Sequence, residues 1–424
     1  MGGPIDLGIV LVGATLRAPL TSVGPLMPVI TGDTGLSSAY AGLLTALPLL
    51  IFAVVPVLVL RTVHHGPERL VRLALVAMLV GLVVRSTPGQ TWLFAGTAVI
   101  AVAIGFANVL LPAIVRGSVS SARVTAVTGA WVAAMCAAAA VSSGIAVPLA
   151  DVLPGGWRQA LAATALLTVA ALLVWRLRTG PVAEPLTVRR VPMPWRSALA
   201  WQVSAFMGLQ ALGFYTTLAW LPSILHDNGV TPRTAGWSLF VFQILGLAVI
   251  NAMPWLTRTA AAKRWLAVAA SVLDAAGFLL LALAPSSAPL AIFLLGAGAG
   301  ACLAMAMAFQ SERAGDIGQA AALAAMAQTV GFAMAAAGPT LVGVLHTRTH
   351  GWAPALVALT AMTLVQAAAA AGAGRSEVVR PDRHVGLPMI RYGRFGGMAA
   401  GPPVTAKPAA THPPGTPGLE QERS

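Results

Sequence analysis

PVITGDTGLSSAYAG at residues 28–42 and PSILHDNGVTPRTAG at residues 222–236 each begin on a proline (Pro28, Pro222) and end on Ala-Gly (Ala41-Gly42, Ala235-Gly236). The second stretch lies 194 positions after the first. A third landmark, Gly156-Trp157, returns as Gly351-Trp352 at an offset of 195, so almost no insertion separates two copies over more than 120 residues. Stacked solenoids repeat every 20 to 50 residues or so; a period this long marks a duplicated half instead.

Composition says what was duplicated. Of 424 residues 57% are hydrophobic and 9% charged, and the mean hydropathy is +0.81, values foreign to soluble domains. Apolar runs of about 20 residues match the length a helix needs to cross a ~30 Å hydrocarbon core. Open sheets cannot span lipid, so helix is the expected element. The 43 glycines and the alanine surplus suit close helix packing in a bilayer. Runs bounded by charge, Gly and Pro predict twelve spans, six per copy. The expected fold is an all-α integral membrane protein of two pseudo-symmetric six-helix bundles: residues 1–180, a connecting loop at 181–196, residues 197–373, and a disordered tail at 374–424, too polar and Pro-rich to fold.

A net charge of +13 would suggest nucleic acid in a soluble protein, but the basic residues sit in alternate loops and in the tail without aromatic interleaving. Counted by loop, 21 of the 26 fall on one side and four (Arg85, Arg158, Arg233, Arg348) on the other. The positive-inside rule then predicts both termini in the cytoplasm. The start, MGGPID, has no basic region of the signal-peptide kind, so the first span is expected to remain as an anchor. Cys136 and Cys302 lie in apolar helices with no metal-ligand spacing. No P-loop, HExxH or nucleophile-elbow pattern occurs. Neither a cofactor nor an enzymatic activity is expected.

The remaining charge, Arg17, lies about 18 Å into the first span, near the midplane. Insertion scales assign about 2.5–3.5 kcal/mol to such a placement, so the residue is expected to face a cavity and hold a small anion; a bond to helix-end carbonyls is the structural alternative. Asp274 is the acid deepest in a span, a candidate for proton coupling or for pairing with a neighbouring helix. Asp6, Glu312 and Asp316 fall near helix ends. Among neutral polar residues, Thr21, Asn108, Gln210 and Tyr215 carry most weight, because the first and fourth helices of each six-helix unit usually line the cavity. Gln243 is another midspan amide. Trp131 and Trp220 are candidates to stack on a planar substrate or to pack.

Four segments carry a resemblance. LRAPLTSVGPLMPVI (16–30), GFANVLLPAIV (105–115), AWQVSAFMGLQALGFYTTLAWLPSIL (200–225) and AALAAMAQTVGFAMAAAGPTLVGVLH (321–346) resemble the cyanate permease and 2-nitroimidazole transporter group of the major facilitator superfamily. The resemblance runs through nearly all spans and implies that Arg17, Asn108, Gln210 and Tyr215 face a central pathway. Two departures stand out: Thr15-Leu16-Arg17-Ala18 replaces the group's Asn-Leu-Arg-Pro, and the loop LRTVHHGPERLVR (60–72) lacks the usual Asp. The fifth span also lacks the Gly-Pro-rich signature of many drug/proton antiporters.

The expected protein is a secondary transporter of the bacterial inner membrane, monomeric, with protons as a candidate coupling ion. It would move a small anionic or polar organic solute by alternating access. Efflux of neutral planar drugs or nitroaromatics, with Arg17 structural, and a non-transporting membrane sensor are the alternatives. Repeat matching places Arg17 opposite Ala211, Gln210 opposite Leu16 and Asp274 opposite Val80, so recognition is expected where the two copies differ.

Overall fold

In a computed structural model of the chain, residues 4–62, 65–119, 121–177, 193–257, 259–315, 317–375 and 379 are described. Asp316, most of the loop between the sixth and seventh spans, and nearly all of the tail lie outside them, as does the side chain of Asp6.

Among the described residues the spans are helical, with short breaks in the first and the sixth. The first is built of α1 (Pro4–Thr15), α2 (Ala18–Thr21) and α3 (Val23–Thr34). Then come α4 (Ser38–Thr62), α5 (Pro67–Ser86), α6 (Gln90–Ser118) and α7 (Ser121–Val152). The sixth span is α8 (Gly156–Ala162) with α9 (Thr164–Arg176). The second half follows as α10 (Ala198–Asp227), α11 (Pro232–Leu256), α12 (Ala260–Leu283), α13 (Ala288–Glu312), α14 (Ile317–Thr349) and α15 (Ala353–Ala373). The twelve predicted spans are therefore present. Ten of them are long and apolar enough to cross a membrane. The other two are α5, charged at Glu68, Arg69, Arg72 and Arg85, and α10, whose amides and aromatics include Gln202, Gln210 and Tyr215.

The duplication has a structural meaning at each landmark. A Cβ on Gly42 would collide with the Pro339 carbonyl on α14, and one on Gly236 would come within 3.1 Å of the Ser143 carbonyl on α7. Each Ala-Gly pair therefore sits where one half touches the other, and glycine is what allows the backbones so close. The Trp of each Gly-Trp pair donates Nε1–H to an acid at the end of its own half's first span: Trp157 to Asp33 at 3.1 Å and Trp352 to Asp227 at 2.8 Å. Asp33 and Asp227 are themselves 194 apart.

Packing distinguishes the two ends of the bundle. One apolar core, at the end remote from the termini, draws on both halves: Leu26, Ile30 and Leu44 share it with Leu221, Leu239 and Leu356. Toward the termini there are two cores, one almost wholly N-terminal, with Ala211, Ala335 and Ala336 as the second half's buried members, and one entirely C-terminal. Close backbone approaches between halves follow the same division: Gly24 to Leu218, Gly42 to Pro339, Gly236 to Ser143 and Gly343 to Ser38 all lie toward the remote end. The molecule is closed there by non-directional apolar burial.

Two arginines counted as loop charges are buried instead. Arg85, fully buried at the end of α5, donates to the carbonyls of Pro19 (2.7 Å) and Leu161 (3.4 Å). Arg313 closes the end of α13 and donates to the Ala373 carbonyl at 3.0 Å. Both are structural fasteners between spans. Glu312, beside Arg313, pairs with Lys263.

Candidate functional site

The site begins with a break in the first span. Pro19 has no N–H to give the preceding turn, and its ring disfavours helical backbone just before it. The helix accordingly stops at Thr15 and restarts at Ala18, leaving Arg17 with φ −125° and ψ −30°. Non-helical backbone at membrane depth is tolerated where protein or a cavity surrounds it. Here protein surrounds it: Ser142 Oγ on α7 donates to the Ala18 carbonyl at 2.9 Å and Arg85 to that of Pro19, while Thr21 Oγ1 ties the restarted helix to α7 by donating to the Ala139 carbonyl at 3.0 Å.

The Arg17 side chain is half-buried at this break. It lines an open-sided cavity formed between the halves, with Cys136 and Ala139 of α7 on one side and Phe214, Phe242, Gln243, Gly246 and Gly300 of the second half on the other. Its Cζ lies 5.3 Å from the centroid of the Phe214 ring. Among the described residues the guanidinium has no carboxylate partner and makes no hydrogen bond. Arg85 and Arg313, by contrast, are spoken for by backbone carbonyls. An unpaired guanidinium retains five donors in a planar fork, suited to a carboxylate or comparable anion.

The cavity floor is backbone. A Cβ on Gly300 would collide with the Gly246 carbonyl, and one on Gly296 would lie 2.8 Å from that of Phe242. One wall is aromatic: Phe214 lies 5.8 Å from Phe242 at 32°, and Tyr215 stands edge-on to Phe214 at 5.3 Å. The row continues away from the cavity through Phe332, 6.4 Å from Tyr215, to Phe52 of the other half at 5.6 Å. Gln243 crosses between halves, donating Nε2–H to Ser143 Oγ at 2.8 Å.

The residues expected at a site are distributed as follows. Arg17 lines the cavity, and Tyr215 braces the Phe214 that lies against it. Thr21 is buried and bonded to α7. Gln210 is buried on α10 and Asn108 half-buried on α6; neither lines this cavity, and neither side chain makes a hydrogen bond among the described residues. Trp220 is buried toward the closed end, donating to the Pro339 carbonyl at 2.9 Å with its ring 5.3 Å from Trp352. Trp131 is buried in the N-terminal core. Asp274 is buried in a polar cluster with Cys302 and Gln366, on α12, α13 and α15, apart from the cavity. Phe214, Phe242 and the glycine floor were not foreseen. Gln243 was visible as a midspan amide, but weighting spans one, four, seven and ten passed over it.

The comparisons agree with this architecture. The chain is 36% identical over 377 residues to "Uncharacterized transporter YycB" of Bacillus subtilis (strain 168), covering 88% of this chain and 94% of the relative. It is 35% identical over 379 residues to the "2-nitroimidazole transporter" of Escherichia coli (strain K12), covering 88% and 96%, and 29% identical over 356 residues to the "Cyanate transport protein CynX" of the same organism, covering 80% and 89%. In fold it is similar to the crystal structure of the nucleoside transporter NupG, with a TM-score of 0.72 at 13% identity over 88% of this chain and 99% of that one. Residues 9–336 match the Major Facilitator Superfamily. The chain belongs to that superfamily and is a multi-pass secondary transporter of small solutes, similar to its cyanate and 2-nitroimidazole transporters.

Proposed function

We propose that the protein carries a small anionic or polar organic solute, held between the halves by Arg17, as residues 1–180 rock against 197–373. The observation that carries this reading is the unpaired guanidinium at a break in the first span, facing a cavity shared by both halves. The Phe214 and Phe242 rings would cover a flat face of the solute, and the Gln243 amide would supply a hydrogen bond. Asn108 and Gln210, side chains on spans four and seven that make no hydrogen bond among the described residues, would join as the halves move. Asp274, remote from this cavity, is read as a structural charge. With both termini in the cytoplasm of a bacterial inner membrane, as the positive-inside rule indicates, the closed end faces outward and the present conformation faces inward. The transporter is read as a monomer, with a pathway complete within one chain and protons as its coupling ion.

Reconstituted vesicles test the reading. Uptake of candidate small anions should be lost in Arg17→Ala while the purified variant melts as the wild type does. Wild-type anion flux in Arg17→Ala would remove that residue from the site. The aromatic wall favours a second reading, export of a neutral planar compound, in line with the name of the 2-nitroimidazole relative; flux of neutral heteroaromatics alone, insensitive to Arg17→Ala, would favour it.

A further inference from the structure

Among the described residues the cavity beside Arg17 is lined by one charge and by no carboxylate. Apart from the weakly polar Cys136 thiol, its other polar side chain is Gln243, and the orientation of that amide is fixed. The nitrogen faces three acceptors: Ser143 Oγ at 2.8 Å, the Leu239 carbonyl at 3.3 Å and the Ala139 carbonyl at 3.4 Å. Carbonyls only accept, and the Ser143 hydroxyl already donates to the Ala140 carbonyl at 2.7 Å. Turning the amide over would set its oxygen against these three oxygens. Nε2–H is therefore committed to the protein, and Oε1 is the atom left over. Gln243 is 8% exposed, and its Oε1 accepts no hydrogen bond among the described residues. Unlike the sealed Oε1 atoms of Gln310 and Gln366, it keeps open access, which it finds in the cavity that the residue lines.

We propose that the cavity selects a planar monoanion carrying its own N–H or O–H donor, with the anionic group on Arg17 and the donor on Gln243 Oε1. The inference rests on the reading of Arg17 as the partner of an anion. One guanidinium balances one negative charge, and a second would stand uncompensated in a largely apolar cavity. An acceptor placed at Oε1 would meet a partial negative charge, so the solute fits one way round. Flatness follows from the walls: Phe214 and Phe242 offer ring faces inclined at 32°, and Gly246, Gly296 and Gly300 leave backbone in place of side chains on the floor. An aromatic or heteroaromatic carboxylate with one ring N–H or O–H has all three features. A site built to hydrogen-bond a substrate donor rejects the analogue that lacks it, because its own buried group is then left unpaired.

Calorimetric binding of pyrrole-2- and pyrrole-3-carboxylate, set against furan-2- and furan-3-carboxylate, tests the donor in the full-length protein. The rings are alike in size, shape and charge, but furan puts an acceptor where pyrrole puts N–H. The two isomers offer two separations of donor and carboxylate. The tighter pyrrole should bind about tenfold or more strongly than its furan counterpart, the weight of one hydrogen bond to a buried group. Gln243→Leu should bring that ratio near one, and Arg17→Ala should weaken both rings; the wild-type ratio is a test that needs no variant to fold. Equal affinity for both rings in the wild type, or an unchanged ratio in Gln243→Leu, would overturn the donor requirement, while Arg17-dependent binding would still support the anion reading. A pyrrole preference kept at full affinity in Arg17→Ala would overturn the anionic end and the reading of Arg17 with it. Failure of the wild type to bind any of the four would overturn the substrate class, and Arg17-dependent uptake of other anions would then leave the anion reading standing.

Discussion

Gln243 on α11 donates its Nε2–H to Ser143 Oγ on α7 across 2.8 Å, tying the C-terminal half to the N-terminal half at the edge of the cavity that Arg17 lines. The amide also reaches the Ala139 carbonyl at 3.4 Å, the group that accepts the Thr21 hydroxyl. The broken first span, the fifth span and the eighth span are thus joined through a few polar atoms. Any solute entering beside Arg17 meets the same amide.

Gln243→Ala should weaken the closed arrangement by about 1–3 kcal/mol, the usual penalty for orphaning a buried polar partner. Ser143→Ala should cost a similar amount, and the double variant little more than either single one, because both remove one interaction. Thermal unfolding of the four proteins in detergent checks this cycle. Strict additivity would show that the bond contributes nothing.

Phe214→Leu removes the ring beneath the Arg17 guanidinium while conserving most of the volume. Loss of a cation–π contact of about 0.5–2 kcal/mol should weaken solute binding by roughly twofold to thirtyfold. Binding to the purified variant, measured by calorimetry with a transported solute, is the check; an unchanged affinity would show that the ring does not organise the guanidinium.

Arg85→Met should behave in the opposite manner to Arg17→Ala. Removing Arg85 takes its two bonds from the carbonyls of Pro19 and Leu161, which keep only the Ser22 and Thr164 hydroxyls of their own chain segments as side-chain donors, a loss of about 1–3 kcal/mol. The melting temperature should fall and expression with it, whereas Arg17→Ala, which breaks no bond among the described residues, should leave melting nearly unchanged. Side-by-side melting curves decide between these roles.

Gly42→Ala places a methyl group against the Pro339 carbonyl. The remote end can then no longer close, so the variant should populate the state open at that end and lose transport while remaining folded. Thiol labelling of a cysteine introduced at Tyr40, exposed beside the seam, should accelerate in this background. Labelling at the wild-type rate would mean that α4 and α14 can separate at no cost to closure.

The repeat offset reaches beyond the helices to the residues that bond their ends. Pro28, Ala41-Gly42 and Gly156-Trp157 indicated two six-helix copies, and the same offset holds Asp33 and Asp227, the acceptors for the two tryptophans. Arg17 could be singled out because a charge near midspan is costly unless it faces a cavity. Arg85 could not be separated from a loop arginine, since a residue in the last turn of a helix reads alike whether it snorkels outward or turns in to bond a carbonyl. Trp220 and Gln210 read as pathway residues on α10, yet which face of a helix meets a cavity is set by its rotation against α14 and α3.

The sequence by itself determined the membrane class, the twelve spans, the duplication and the two midspan charges Arg17 and Asp274, because hydropathy and covalent order are properties of the chain read locally. Tertiary structure alone decided that Arg17 has no hydrogen-bond or carboxylate partner among the described residues while Arg85 and Arg313 bond backbone carbonyls, that Gln243 reaches Ser143 in the other half, and that the molecule is closed at one end by a shared core. Each of those is a contact between residues about 60 or more positions apart. Helix rotation and approach, fixed by glycines such as Gly42, Gly246 and Gly300, make such contacts, and no local pattern records them.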